Sequence, residues 1–103
     1  NYWDRVKGDD LPSGVDWACF DWAVNSGSGR PAKALQRCVG ATPDGAIGPM
    51  TLRAVADNEP KRLVEGVYTQ RQKFYEDLKT FETFGRGWTR RNKETLDSAL
   101  EMI

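Results

Sequence analysis

Apolar residues along the chain recur at helical spacing, and no segment shows the alternation typical of a half-buried strand. Residues 15–24 are apolar almost all the way round a helix, which predicts a buried central helix that ends before Gly27. Ser13 is the predicted N-cap of this helix. A buried strand is the competing prediction for so short a run, but the length and the flanking caps favour a helix.

The next segment predicts a second helix followed by a loop. Pro31 fits the first turn of this helix, and Gly40 ends it. Residues 41–48 form the loop, in which the Asp44-Gly45 pair predicts a tight turn. Because the loop leads into the N-terminus of another helix, its backbone N–H groups are available to a carboxylate.

Three more helices are predicted downstream. A short one begins at Pro49, and the longest begins at Pro60 and carries a broad apolar stripe. Gly66 weakens this long helix by about 1 kcal/mol relative to alanine unless another helix packs there. Residues 81–88 interrupt the helical pattern, so the last helix is predicted to begin near Thr89.

These elements predict an all-α fold, a compact bundle of about five helices that forms a single domain over residues 1–103. The 15 basic and 15 acidic residues cancel, which argues against a dedicated nucleic-acid binder. The absence of histidine excludes a His-based triad and a His-ligated zinc, and no cofactor or metal is expected. No apolar stretch approaches the ~20 residues that span a bilayer.

Carboxylate pairs are the first candidates for chemistry, because glycoside hydrolysis needs two of them about 5–9.5 Å apart. Asp16 and Asp21 share a helix but point about 140° apart, and Asp9 and Asp10 lie in a polar loop. Solvated or capping roles are therefore favoured. Asp21 has apolar neighbours, so its carboxylate either reaches a buried partner or joins Asn25 at a ligand cleft, and both interpretations are open.

Basic and aromatic residues around Trp88 form a second candidate. Its cations are Arg86, Arg90, Arg91 and Lys93, and such a cluster can stack on a sugar and hold an anionic group. The alternative is a solvated helix start that a tryptophan anchors. Tyr2 and Trp3 offer either another carbohydrate platform or further packing against the core.

Four motifs, taken in order, resemble the C-terminal half of the N-acetylmuramidases of glycoside hydrolase family 108, a half described as a predicted peptidoglycan-binding domain. The resemblance covers nearly the whole chain. The third motif is also similar to the short helical repeats of other peptidoglycan-binding domains. The motifs are residues 2–16, the Phe-Asp-Trp-Ala-Val-Asn-Ser-Gly segment 20–27, Leu35-Gln36 with residues 44–52, and residues 84–91.

This resemblance implies a C-terminal lobe of the lysozyme-like superfamily that binds the glycan strands and stem peptides of peptidoglycan. The catalytic glutamate of the family belongs to a Glu-Gly-Gly motif near the start of the N-terminal half, and this sequence contains no such motif. The chain begins at Asn1 without an apolar signal-peptide core, so we expect a piece of a longer protein. Its own N-terminal catalytic part is then an expected partner. The expected location is the periplasm or the cell wall, for a protein of bacterial or phage origin.

The leading hypothesis is a peptidoglycan-binding domain of an endolysin or a secretion-associated muramidase. The alternatives are a protein-interaction module for secretion and a small autonomous glycoside hydrolase that uses aspartates. No catalytic residue is expected within the chain under the leading hypothesis. The expected ligand-binding residues are Asp21, Asn25, Ser26, Asp44, Gly45, Gly48, Arg86 and Trp88.

Overall fold

The computed structural model describes residues 1–78 and 80–103, and this part of the chain folds into six α-helices and one 3₁₀ turn without any strand. The all-α prediction is confirmed, with a short extra helix near the N-terminus. None of these helices combines the length and apolar character needed to cross a bilayer. The elements are α1 (Tyr2–Arg5), the 3₁₀ turn (Gly8–Asp10), α2 (Val15–Ser26), α3 (Gly29–Val39), α4 (Pro49–Ala56), α5 (Pro60–Glu76) and α6 (Phe81–Glu101).

Helix α2 is the centre of the fold, because it contacts α1, α3, α5 and α6. Most of its apolar residues, among them Cys19 and Trp22, are buried in one core with Leu35 of α3 and Val64 of α5. The predicted burial of this helix is confirmed, and Gly27 ends it as expected. Every longer helix therefore places one apolar face against the same core.

The N-terminus of α2 differs from the prediction, because Gly14 and not Ser13 is its N-cap. Gly14 has φ +92°, and a Cβ on it would lie 2.6 Å from the carbonyl oxygen of Ala99 in α6. The close approach of α2 to α6 thus requires glycine at the cap. Glycine has no side chain that could accept hydrogen bonds at the start of the helix. The Asp16 carboxylate accepts them instead, from the backbone N–H groups of Gly14 (3.0 Å) and Trp17 (2.6 Å).

The predicted break over residues 81–88 is wrong, because α6 is helical from Phe81. Glycines at 85 and 87 lower the helical propensity of this segment, yet tertiary packing outweighs that cost. The ring centroids of Trp88 and of Tyr75 on α5 are 5.3 Å apart. Gly85 is buried, and a Cβ there would meet the Phe81 ring, so this glycine gives the ring its space.

Helices α3 and α5 approach each other closely at Gly66. A Cβ built on Gly66 would lie 2.7 Å from the Sγ atom of Cys38 on α3. The sequence left open whether another helix packs at this glycine, and the structure shows that α3 does. Gly87 in α6 is a natural comparison, because a Cβ there has nothing within 4 Å.

We predict opposite effects of alanine at these two helical glycines. Gly87→Ala should raise the free energy of unfolding by about 0.5–1 kcal/mol through helical propensity alone. Gly66→Ala should lower it by about 1–3 kcal/mol, because overpacking against Cys38 exceeds the same propensity gain. Urea unfolding followed by circular dichroism measures both values. Equal stabilisation by the two substitutions would show that α3 and α5 are not in tight contact at Gly66.

Candidate functional site

Asp21 is the centre of a buried ion cluster that joins three helices. Its carboxylate is 2.9 Å from Nη1 of Arg71 on α5 and 2.9 Å from Nη2 of Arg91 on α6. The hydroxyl of Thr95 on α6 also donates to it at 2.8 Å. Asp21 and Arg71 are both almost completely buried. The structure therefore places Asp21 in a buried network, one of the two interpretations that the sequence left open.

The electrostatics of this cluster keep Asp21 ionised. Burial alone would raise the pKa of its carboxyl group, but hydrogen bonds from Arg91, Arg71 and Thr95 outweigh burial and hold the pKa below its ordinary value. An acid of this kind is a poor proton donor at neutral pH, because donation requires a raised pKa. Asp21 therefore suits a structural role, in which it fixes the angle between α5 and α6.

The aromatic groove is the first candidate binding surface, with a volume of about 330 Å³ between the end of α2, the end of α5 and α6. It brings together three of the residues expected from the sequence: Asn25, Ser26 and Trp88. Arg30 of α3 also lines the groove. The lining residues are Asn25, Ser26, Arg30, Phe74, Tyr75, Leu78 and Trp88.

The aromatic side chains of this groove form a continuous series with Phe84, which lies beside it. Ring centroids are 5.7 Å apart for Phe74 and Tyr75, 5.3 Å for Tyr75 and Trp88, and 5.7 Å for Trp88 and Phe84. Arg71 connects the series to the ion cluster, because its Nε atom donates to the Tyr75 hydroxyl at 2.8 Å. The same arginine thus neutralises Asp21 and orients a ring of the groove.

The polar edge of the groove is formed by the last turn of α2. The Asn25 amide nitrogen donates to the backbone carbonyl of Asp21 at 2.8 Å, which leaves the amide oxygen as an acceptor at the exposed edge. Ser26 lies beside it, and its carbonyl oxygen accepts from Nη1 of Arg30 at 3.2 Å. The Asp21 carboxylate does not line this groove. The Asp21 carboxylate is therefore outside the groove that Asn25 and Ser26 line, although its backbone carbonyl holds the Asn25 amide.

The loop between α3 and α4 is organised by one buried amide, that of Gln36. Its Nε2 atom donates to the carboxylate of Asp44 at 2.9 Å and to the hydroxyl of Thr51 at 3.2 Å, and its Oε1 atom accepts from the Gly45 backbone at 2.9 Å. Hydrogen bonds from the Ala46 backbone and from Gln36 hold the pKa of Asp44 below its ordinary value. These contacts explain the Gln and Asp-Gly elements of the sequence motif in structural terms.

A separate groove of about 510 Å³ follows this loop, and Asp44 and Gly48 line it together with an exposed Met50. Gly45 adopts φ +84° in the turn but is not among the lining residues. Arg86 is exposed on α6 and lines neither this groove nor the aromatic one. The eight expected residues therefore occupy four places: the ion cluster, the aromatic groove, the loop before α4 and an exposed position on α6. Their ligand-binding roles stay predictions.

The N-terminal aromatic pair packs mainly against the chain itself. Trp3 lies 5.5 Å from Phe20 in an edge-on arrangement, and its indole N–H donates to Asp9 at 2.8 Å. Tyr2 is exposed, with the Arg5 guanidinium 6.0 Å from its ring centroid. Of the two, only Tyr2 therefore presents a largely free ring to solvent.

The thiols and carboxylates offer little further chemistry. Burial raises the pKa of the Cys19 thiol to about 12, and burial also raises the pKa of Cys38. Thiols of this kind are unreactive at neutral pH. Across residues 1–78 and 80–103, no group of three or more carboxylate or thiol side chains is placed to hold a metal ion.

Sequence reasoning missed four residues of the aromatic groove: Arg30, Phe74, Tyr75 and Leu78. The last three belong to the apolar stripe that the sequence predicts as core, and Tyr75 is in fact almost completely buried. Two features of the sequence could have indicated that Arg30 reaches the groove. It lies one turn after Ser26, and it is at the start of a helix without acidic residues that could pair with it.

Two family models match the chain and together cover most of its length. Residues 30–93 match the family described as a predicted peptidoglycan domain. The chain belongs to this family. Residues 1–27 match the model of glycosyl hydrolase 108, which confirms the resemblance seen in the motifs.

A solved structure of SagA from Brucella abortus is similar to this peptidoglycan-family domain over almost its whole length. The sequences are 44% identical, the TM-score is 0.97, and the match covers 99% of this chain and 59% of that chain. The chain thus spans 59% of the SagA chain. No curated protein matches the chain.

Removal of the charge at the centre of the ion cluster should be strongly destabilising. Asp21→Asn should lower the free energy of unfolding by about 3–5 kcal/mol, because it leaves the buried Arg71 without a counter-ion. Arg91→Ala is the matched control and should cost clearly less, since the Arg91 side chain is half exposed and Arg71 still neutralises Asp21. Chemical unfolding of both variants measures the difference. Equal losses would contradict a special role of the buried pair.

The same cluster predicts how stability changes in acid. Because the pKa of Asp21 is lower in the folded chain than in the unfolded chain, its stabilisation is complete above about pH 4 and is lost as the pH falls through the folded pKa. Thermal unfolding between about pH 4 and pH 2 should therefore show a shallower pH dependence for Asp21→Asn than for the unmodified chain. Parallel curves would show that Asp21 titrates alike in both states.

Proposed function

We propose that this chain binds the glycan strands of peptidoglycan through the aromatic groove, as the C-terminal part of a lysozyme-like N-acetylmuramidase. The family matches and the similarity to SagA support a cell-wall-related, lysozyme-like role. The observation that carries the proposal is the meeting of Trp88 with Asn25 and Ser26 in one groove. The muramidase would be of the endolysin or secretion-associated type, and it would act in the periplasm or cell wall.

The chemistry of the groove suits a sugar. A pyranose ring has apolar C–H faces, which stack on aromatic side chains, and hydroxyl groups at its edge, which need hydrogen-bond partners. Trp88 and Phe74 offer aromatic surface, while Asn25 and Ser26 offer polar groups in the same groove. A concave surface that combines aromatic side chains with a few placed polar groups suits a ligand with both kinds of surface.

The carboxylates of the chain favour binding over hydrolysis. Asp21 is held ionised by Arg91, Arg71 and Thr95, so it is unsuited to protonate a glycosidic oxygen. Asp16 accepts two backbone hydrogen bonds at the start of α2 and lies among helix-capping contacts. We therefore assign hydrolysis to an N-terminal catalytic part, and residues 1–103 act as a single binding domain beside it.

The apolar stripe of α5 gives no support to the interaction-module alternative. Its residues Leu63, Val64 and Val67 are at most 1% exposed, because they pack into the core of the chain itself. A stripe that is already covered cannot also dock a partner helix. Glycan binding is thus the role that the open surfaces of the chain favour.

Co-sedimentation with purified peptidoglycan sacculi at low and moderate salt tests the proposal. Trp88→Ala should weaken binding about tenfold, or by about 1.4 kcal/mol, because it removes a half-buried indole that lines the groove. Asn25→Ala should weaken binding less, through loss of one polar contact. Binding by the unmodified chain should persist at moderate salt, since stacking is not screened by ions.

Tyr2→Ala is the matched control, because Tyr2 is an exposed aromatic residue outside the groove. It should leave binding to sacculi unchanged. Circular dichroism and thermal unfolding check that each variant is folded. Loss of binding in Tyr2→Ala with full binding in Trp88→Ala would move the sugar contact to the N-terminal segment and refute the groove assignment.

A further inference from the structure

Another surface, which we call the basic groove, lies between α3 and α5 and has a volume of about 520 Å³. Four cations line it, Arg30, Lys33, Arg37 and Lys73, against a single carboxylate, that of Asp77. The chain as a whole has 15 basic and 15 acidic residues. The basic groove is therefore a local concentration of positive charge on a protein whose formal net charge is zero.

The concentration of charge originates in the sequence of α3. This helix contains Arg30, Lys33 and Arg37 but no acidic residue. Because residues three, four and seven positions apart lie on one face, the three cations project together while Leu35 on the other side is buried. Within the described residues, none of the four groove cations forms an ion pair within 4.0 Å. Their charges are thus free to meet a ligand.

One of the cations is already held in place. The Arg30 guanidinium lies 4.6 Å from the ring centroid of Phe74, and its Nη1 atom donates to the Ser26 carbonyl at 3.2 Å. These two contacts fix the guanidinium plane and leave its other N–H groups available for the paired hydrogen bonds that a carboxylate accepts. Trp22 and Phe74, with ring centroids 6.1 Å apart, provide an apolar wall beside the charges.

The basic groove adjoins the aromatic groove, because Arg30 and Phe74 line both. We propose that the basic groove binds the carboxylate groups of the stem peptides that peptidoglycan carries on its glycan strands. The inference rests on the proposed function, since a peptide attached to a sugar in the aromatic groove lies within reach of the cations. Arg30 would make paired hydrogen bonds to one carboxylate, and Lys33, Arg37 and Lys73 would act as point charges.

A pair of charge-reversal variants separates this site from general charge attraction. The test variant is Lys33→Glu with Arg37→Glu, and the control is Lys61→Glu with Arg62→Glu in the first turn of α5. All four side chains are exposed, both variants change the net charge equally, and the control residues line neither the basic groove nor the aromatic groove. At moderate salt, the test variant should lose about tenfold in binding to intact sacculi, while the control changes little.

Two preparations of sacculi identify the chemical group that is bound. Intact sacculi should bind most tightly to the unmodified chain. Sacculi whose carboxylates have been amidated with ammonia and a carbodiimide should bind about tenfold more weakly. On the amidated sacculi the test variant should bind as well as the unmodified chain, because the groups that its cations contact are gone.

Lys73→Glu tests the opposite wall of the groove independently, and it should weaken binding to intact sacculi in the same direction. Equal loss in the two double variants, or undiminished binding to amidated sacculi, would overturn the proposal. Loss of binding only after hydrofluoric acid removes phosphate polymers would also overturn it, in favour of a phosphate ligand. Binding that depends on Trp88 but not on Lys33, Arg37 or Lys73 refutes this inference alone, whereas no binding to any sacculi refutes the proposed function itself.

Discussion

A carboxylate buried among helices must be compensated, and the pairing of Asp21 with Arg71 is the constraint on which the rest of this fold depends. Removal of both charges from water costs several kcal/mol per ion, so the pair is tolerated only with good geometry and further hydrogen bonds. Arg91 and Thr95 of α6 complete the geometry around the carboxylate. Because the three helices contribute one group each or more, α5 and α6 cannot slide along α2 without breaking a buried charge contact. A purely apolar contact would resist such sliding less.

The ion cluster also explains why the aromatic groove has a defined shape. Arg71 donates to the Tyr75 hydroxyl, Tyr75 contacts the Trp88 ring, and Trp88 contacts Phe84. Each ring in this series is therefore positioned by its neighbour, starting from a charged group that is itself fixed. A binding surface that is ordered before the ligand arrives loses less conformational entropy on binding. The buried pair of Asp21 and Arg71 thus helps to order the aromatic rings of the groove before a ligand binds.

The sequence predicts most of the helices and several of their ends, and it identifies polar residues better than their partners. The apolar period, with glycine and proline at the ends, identified α2, α3, α4 and α5. Local signals failed over residues 81–88, where contacts with α5 outweigh two glycines, and at Ser13, where the approach of Ala99 imposes a glycine cap. These are long-range effects that local propensity does not contain. For the same reason Asp21 could be recognised as needing a partner, but its partners, 50 to 74 positions away, could not be named.

The net charge of zero does not reveal that cations are concentrated on one part of the surface of this chain. A formal charge of zero argues against non-specific attraction to a polyanion, yet it is compatible with strong local fields when charges of one sign are segregated. Helix α3 achieves this segregation with three cations on one face and no acidic residue. The cations adjoin a groove of aromatic rings through Arg30, which belongs to both surfaces. A ligand with sugar rings and carboxylates joined in one molecule would contact both surfaces at once. The second contact then becomes intramolecular, so two weak sites give useful combined affinity and discriminate against ligands that carry only one of the two groups.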